Sequence, residues 1–117
     1  MKVLIVDDST LVRERLAGLL SELGNVELVD QAGSGGEALA AMQRSRPDVV
    51  ILDIRMPGGN GIQLLKAIKS GAASPVVIVF TAFPFPQYRK KCLEAGADFF
   101  FDKDTGFERI VEALDDW

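Results

Sequence analysis

The sequence predicts an α/β fold in which a five-stranded, parallel, doubly wound sheet carries helices on both faces. Residues 3–6, 49–52 and 76–80 are apolar at every position. Parallel strands that are covered on both faces have this pattern, whereas half-buried strands alternate apolar and polar residues. Helical patterns separate the strands along all 117 residues. Such strict alternation favours a parallel sheet with right-handed crossovers.

Two weaker segments complete the predicted sheet. Residues 26–32 contain the polar Glu27 and Asp30, and residues 99–101 are three consecutive phenylalanines. The first suits an edge strand because it is polar, and the second because it is short. We expect the strand order 2-1-3-4-5 of flavodoxin-like sheets, in which ligands bind beyond the carboxyl ends of the strands.

Capping residues and helical spacing of apolar residues predict five helices. Ser9 caps the first, Ser34 and Glu37 have the capping-box spacing that opens the second, and Pro86 opens the fourth. The expected stop signals are Gly24 with Asn25, Pro47, Gly71 and Gly96. The apolar faces comprise Val12, Leu16, Leu19, Leu20 and Leu23 in helix 1, Ile62, Leu65 and Ile68 in helix 3, and Phe107, Ile110, Val111 and Leu114 in helix 5.

Composition excludes several other classes of protein. The chain has no histidine and a single cysteine, which excludes serine–histidine triads, His-ligated zinc and a disulfide framework. No apolar run approaches the roughly 20 residues of a membrane span, and the N-terminus lacks a signal sequence. We therefore expect a cytoplasmic protein without membrane contact. The net charge of −4 argues against direct nucleic-acid binding by this chain.

Polar side chains follow four of the predicted strands. Asp7 and Asp8 follow the first, Asp53 the third, Thr81 the fourth and Lys103 the fifth. Crowded carboxylates repel each other, and a hard divalent cation relieves that repulsion. Oxygen ligands favour Mg²⁺, with Mn²⁺ as the other option. A carboxylate can also accept a phosphoryl group, whose oxygens the cation, the ammonium and the hydroxyl would hold.

Four segments resemble receiver domains of bacterial two-component response regulators: VLIVDD (3–8), DVVILDIRMPGGNG (48–61), PVVIVFTA (75–82) and EAGADFFFDK (94–103). The resemblance extends over essentially the whole chain, so we expect one receiver domain at 1–117. It implies that Asp53 accepts phosphate from the phosphohistidine of a histidine kinase or phosphotransfer protein. It also implies that Asp7 and Asp8 serve Mg²⁺, with Asp8 as the likelier direct ligand and the backbone carbonyl of Arg55 as a further one.

The same resemblance implies a signalling switch rather than an enzyme with an external substrate. Thr81 and Lys103 match the hydroxyl and the lysine of the family, and Phe100 matches its aromatic switch position. Phosphorylation would change the face formed by helix 4, strand 5 and helix 5, which an unidentified output partner would read. The chain ends with the fifth predicted helix, so we expect no output domain within it.

The sequence departs from the family pattern in three places. Asp104 replaces the usual proline after Lys103, so we expect a trans peptide bond there. The residues 58–60 are Gly-Gly-Asn, which predicts a looser loop after the acceptor. Residues 83–86 are Phe-Pro-Phe-Pro, which is also unusual, and each phenylalanine is expected to be extended because it precedes a proline. The resemblance further implies that Arg55 and Phe83 flank the path of the hydrolytic water, and neither is a carboxylate or an amide suited to orient it. We expect slow loss of phosphate, with Arg55 lying over the phosphoryl group.

Three alternative classes of protein fit the sequence less well. A degenerate receiver, acting as a phosphorylation-independent interaction module, would not need the full set of polar residues. A flavin binder needs a hydroxyl- and glycine-rich phosphate loop after strand 1, where Asp7 and Asp8 would repel the flavin phosphate. A phosphatase of the haloacid dehalogenase type places its nucleophile in a D-x-D motif after strand 1, whereas the two aspartates here are adjacent.

Overall fold

The structure is a computed structural model that describes residues 1–56, 61–71 and 74–117. Strands and helices alternate throughout. They are β1 (Lys2–Val6), α1 (Thr10–Ser21), β2 (Leu28–Ala32), α2 (Gly35–Ser45), β3 (Val49–Leu52), α3 (Gly61–Lys69), β4 (Val76–Thr81), α4 (Pro86–Glu94), β5 (Phe99–Asp102) and α5 (Gly106–Asp115). The strands form one parallel sheet in the order β2-β1-β3-β4-β5, which confirms the predicted fold class.

Alternate residues of each strand point to opposite faces, so the sheet has two apolar layers. On one face, strand residues such as Ile5 and Phe80 pack with Leu16 of α1 and Ile110 of α5. On the other face, the core is shared with α2, α3 and α4 and includes Phe100. Burial on both faces explains why β1, β3 and β4 are apolar at nearly every position.

Local chemistry sets the helix ends. The Ser9 hydroxyl accepts a hydrogen bond from the Val12 N–H, and the Ser34 hydroxyl accepts one from the Glu37 N–H, as predicted. The end of α2 is less expected, because Arg46 adopts the left-handed conformation with φ 46°. This left-handed backbone at Arg46 turns the chain just before Pro47.

Several predicted boundaries were wrong by a few residues. α1 ends at Ser21 rather than near Gly24, and β2 starts at Leu28 rather than at residue 26. The intervening residues form turns, in which the Val26 N–H donates to the Leu23 carbonyl. α3 ends at Lys69, two residues before the predicted Gly71.

Two strands extend beyond their apolar runs. β4 continues to Thr81 and β5 to Asp102, and these two residues are paired in the sheet.

The described residues contain no cis peptide bond, and the bond between Lys103 and Asp104 is trans, as expected. The expected looseness of the loop at 58–60 lies outside the described residues. None of the helices in the described part of the chain has both the length and the apolar character needed to cross a bilayer.

Candidate functional site

The sheet holds the predicted polar residues by their backbones. The Asp53 N–H donates to the Val6 carbonyl over 2.9 Å, and the Asp7 N–H donates to the Ala32 carbonyl over 3.0 Å. At the other side of the site, the Lys103 N–H donates to the Thr81 carbonyl over 2.8 Å. Ladder-type hydrogen bonds thus continue past the strand ends, and they fix where each functional side chain starts.

Lys103 joins the two buried carboxylates. Its Nζ lies 2.7 Å from Asp7 Oδ2 and 2.9 Å from Asp53 Oδ2. The second oxygen of each aspartate accepts a backbone N–H two residues further on, from Ser9 over 2.9 Å and from Arg55 over 3.0 Å. We refer to Asp7, Asp53 and Lys103 as the floor of the site. Its side chains are 3%, 7% and 17% exposed, so the ion pairs are largely shielded from water.

Burial and charge act in opposite directions on the floor. Burial raises the pKa of Asp7, and the hydrogen bond from Lys103 offsets only part of that rise. For Lys103, burial alone would lower the pKa, but the hydrogen bonds to Asp7 and Asp53 outweigh it and the pKa is raised. The lysine therefore stays charged at neutral pH, and it compensates only part of the negative charge around it.

Asp8 adds a third carboxylate at the solvent side of the floor. One oxygen from each of Asp7, Asp8 and Asp53 lies within 4.8 Å of the others, while Asp8 itself is exposed. This all-oxygen donor set suits a hard divalent cation such as Mg²⁺, which binds one or two carboxylates and retains positions for water and phosphate oxygens. A cleft of about 630 Å³ runs from Asp8 past Arg55 to Tyr88, so this edge is open to ligands.

Glycine is needed where α3 begins beside this cleft. A Cβ at Gly61 would run into the backbone of Ile54, the residue directly after Asp53. The close approach of the two backbones places the first turn of α3 against the segment that carries the acceptor candidate. A larger residue at Gly61 would push that segment away.

Thr81 and Phe100 occupy neighbouring strands. Thr81 is fully buried, and its Oγ accepts the Phe83 N–H over 3.0 Å. That bond uses a lone pair and leaves the hydroxyl hydrogen available as a donor. Phe100 is 9% exposed and lies in the core shared with α2, α3 and α4. In this structure the aromatic candidate is therefore packed inward.

A second group of side chains borders the site. The Arg55 Nη1 donates to the Tyr88 hydroxyl over 2.6 Å. The Arg55 guanidinium also lies 4.4 Å from the centre of the Phe83 ring and 5.5 Å from that of Tyr88. We refer to Arg55, Phe83 and Tyr88 as the rim. The expectation that Arg55 lies over the phosphoryl group stays a prediction, and in this structure two aromatic residues hold the guanidinium to one side.

Two contributors were missed by sequence reasoning. Tyr88 looked like an ordinary helix residue, and only the fold brings α4 beside Arg55. Arg13 supports the aspartate-bearing loop, because its Nη1 donates to the Asp7 carbonyl over 2.6 Å and its Nε to Gln31 Oε1 over 3.2 Å. Its position in the first turn of α1 was the only available signal. Cys92 is buried, and burial raises the pKa of its thiol to about 11, which suits an apolar packing role.

The fold and the site together define a class of signalling domain, and comparisons with known proteins agree. Residues 3–115 match the family described as the response regulator receiver domain. The chain belongs to this family. It is a signalling domain rather than a conventional enzyme.

Individual relatives cover this chain almost completely. The positive alginate biosynthesis regulatory protein of Pseudomonas aeruginosa is 38% identical over 115 residues, which are 97% of this chain and 46% of that protein. The transcriptional regulatory protein LnrK of Bacillus subtilis is 36% identical over 97% of this chain and 52% of its own. The chain thus spans about half the length of the curated relatives it matches.

A solved structure extends the comparison to three dimensions. The signal receiver domain of the putative response regulator NarL from Mycobacterium tuberculosis is 36% identical and superposes with a TM-score of 0.87. The match covers 98% of this chain and 93% of that one.

Proposed function

We propose that Asp53 is the phosphoacceptor of a two-component signalling switch. The observation that carries this proposal is the floor itself, where a buried carboxylate is bound to an ammonium beside two further carboxylates. The donor would be a phosphohistidine of a histidine kinase or phosphotransfer protein. In the transfer, a carboxylate oxygen of Asp53 forms a bond to phosphorus as the donor's P–N bond breaks. The imidazole leaves with the bonding electron pair.

The neighbouring groups suit this reaction because charge moves onto the phosphoryl oxygens. Lys103 already contacts Asp53, and it would keep that contact or pass it to a phosphoryl oxygen. The Thr81 hydroxyl hydrogen would donate to another oxygen, since the Phe83 N–H engages only a lone pair. Pre-positioned donors of this kind stabilise a transferring phosphoryl group without reorganisation at the moment of reaction.

Asp7, Asp8, Asp53 and the backbone carbonyl of Arg55 would hold Mg²⁺, or Mn²⁺ in its place. The carboxylate oxygens provide the hard ligands that either cation prefers, and Asp8 is the most accessible of them. When bound, the cation would neutralise negative charge on the phosphoryl oxygens. Burial raises the pKa of Asp7 despite the hydrogen bond from Lys103, so a bound cation would further favour the charged carboxylate.

The switch would couple Thr81 to Phe100 and from there to the α4–β5–α5 face. A Thr81 hydroxyl that turns toward a phosphoryl group changes packing next to β5, where Phe100 lies in the core. A small local change can bias a two-state element in this way. An output protein or domain would read the altered face. We infer that residues 1–117 act as one receiver domain in this process.

The test is phosphorylation with a small donor. Wild type in Mg²⁺ buffer with acetyl phosphate should acquire an acid-labile phosphoryl group, and Asp53→Asn should not. Asp104→Asn is the matched control, because Asp104 is an exposed aspartate near Lys103 and should leave labelling intact. Undiminished labelling of Asp53→Asn would refute the assignment of the acceptor. A wild type that takes no label would favour a degenerate, phosphorylation-independent receiver.

A further inference from the structure

Arg55 lies between two possible partners, one on the floor and one on the rim. Its backbone N–H donates to Asp53 Oδ1 over 3.0 Å, so its side chain starts beside the acceptor candidate. Its guanidinium nevertheless points to α4, where the Tyr88 hydroxyl accepts a 2.6 Å hydrogen bond. An arginine side chain is long enough to reach either site, but one guanidinium cannot make both sets of contacts fully.

We propose that Tyr88 is a positioning residue that holds Arg55 away from Asp53 until a phosphoryl group competes for the guanidinium. This inference rests on the proposed function, since it needs a phosphoryl group on Asp53. A phosphoryl group adds a charge of about −1.5 to −2 and three strong acceptors, and it pairs well with a guanidinium. The neutral phenol oxygen is a weaker acceptor, so the added charge favours transfer of Arg55 to the floor.

The rim contacts are suited to exchange because they are exposed. Phe83 is 39% exposed, and Arg55 is exposed too, so water can replace either contact when the guanidinium leaves. Exposed charge contacts are individually weak, and cation–π contacts at exposed sites are similarly weak. The same contact in a buried position would cost much more to break.

Release of the Tyr88 hydroxyl by Arg55 would change contacts outside the site. Its ring packs against the core layer that contains Phe100, and it lies 6.0 Å from the ring of Phe85 at the start of α4. The Phe83 N–H in turn is bound to the Thr81 hydroxyl. A guanidinium that leaves Tyr88 therefore changes contacts of α4 directly, in addition to any effect passed through Thr81 and Phe100.

Beryllofluoride binding in Mg²⁺ buffer tests the competition, since this anion imitates the phosphoryl group. Tyr88→Phe removes the competing hydroxyl but keeps the ring, and it should lower the half-saturating concentration about threefold. Arg55→Gln should raise that concentration, and it retains the backbone carbonyl. Adding Tyr88→Phe to Arg55→Gln should then have no effect. Arg89→Gln removes an exposed guanidinium from the same helix and serves as the control.

A spectroscopic readout separates positioning from a structural effect. Tyr88 is the only tyrosine in the sequence, so tyrosine labelled with ¹³C at Cζ gives a single NMR signal. Saturating beryllofluoride should move the wild-type signal toward the position that Arg55→Gln shows without the ligand. Wild-type binding with unchanged or weaker binding by Tyr88→Phe would overturn this inference alone. Failure of wild type to bind beryllofluoride would overturn the proposed function, and the inference with it.

Discussion

The floor and the rim of the site are both built around a positively charged side chain, but they differ in burial. In the floor, Lys103 is 17% exposed and contacts two carboxylates that are nearly inaccessible. In the rim, Arg55 is exposed and contacts the Tyr88 hydroxyl and the Phe83 ring, and Phe83 is itself 39% exposed. Water can take over a contact in the rim at small cost, whereas it cannot do so in the floor.

The difference in burial indicates that the floor and the rim have different roles. Buried, paired charges are expensive to separate, so the floor keeps one arrangement and can present the acceptor in a fixed geometry. Exposed contacts are weak and replaceable, so the rim can change partners when the charge of the site changes. The proposed phosphoacceptor and the proposed movable contact therefore start two residues apart, at Asp53 and Arg55, and they differ in solvent access rather than in distance along the chain.

The largest expected effect follows from removing the floor's cation. Lys103→Met leaves Asp7 and Asp53 buried without their ion-pair partner, and the free energy of unfolding should fall by about 3 kcal/mol at pH 7. Urea denaturation in the absence of divalent cations measures it. Arg44→Met is the control, because it breaks an ion pair with Asp30 in which Arg44 is 61% exposed. A loss no greater than that of the control, about 1 kcal/mol or less, would show that the floor gains little from burial.

The rim should govern how long the phosphoryl group lasts. Arg55→Asn combined with Phe83→Ser replaces the cover by small polar groups and admits water. Decay of the phosphorylated protein in Mg²⁺ buffer should become severalfold faster, and tenfold would correspond to about 1.4 kcal/mol of barrier. Arg89→Gln, on the same side of the molecule but without a described contact to Arg55, should decay as wild type does. Equal decay of wild type and the double variant would mean that these side chains do not control access of water.

Cation binding should stabilise the floor by a comparable amount. At ten times its dissociation constant, Mg²⁺ that binds only the folded state adds about 1.4 kcal/mol to the free energy of unfolding. Thermal unfolding with and without about 10 mM Mg²⁺ detects the gain in the free energy of unfolding, because this concentration is close to saturating. Asp8→Ala should lose most of it, since Asp8 is the accessible carboxylate of the three. Identical shifts in wild type and Asp8→Ala would count against these ligands.

The smallest expected effect is a dependence on pH. Because burial raises the pKa of Asp7 above its usual value of 3.8, the folded protein binds this proton more tightly than the unfolded chain. The charged Asp7 therefore lowers stability at neutral pH, and this cost disappears as the pH falls through the raised pKa toward 3.8. Wild type should gain stability relative to Asp7→Asn over that range without divalent cations. An equal difference in the free energy of unfolding between the two proteins at pH 7 and at pH 4 would contradict this expectation.

Lys103 adds a second loss of stability with rising pH, at the alkaline end. Its pKa is raised, so its stabilising contribution is complete below the ordinary lysine value of 10.5 and is lost as the pH rises through the raised pKa. The stability of the floor should therefore fall with rising pH in both windows, as Asp7 becomes charged and as Lys103 loses its proton.

The sequence by itself determined the architecture and the contents of the floor. Continuous apolar runs can be satisfied only by strands that are covered on both sides, and parallel strands bring their carboxyl ends to one edge. Asp7, Asp53, Thr81 and Lys103 stand directly at or after such ends, so their meeting follows from strand pairing alone. Ser9 and Ser34 were equally legible, because a cap acts on residues two or three positions away.

Only the tertiary structure decided the rim and the exact helix and strand ends. Tyr88 and Arg55 are 33 residues apart, and their contact depends on how α4 packs against the loop after β3. No local pattern encodes that placement, since a half-buried tyrosine and an exposed arginine fit many helices and loops equally well. The direction of the Arg55 side chain in this structure could not be predicted for the same reason. It is set by two aromatic rings from another part of the chain, which compete with the charge of the residue next to which it starts.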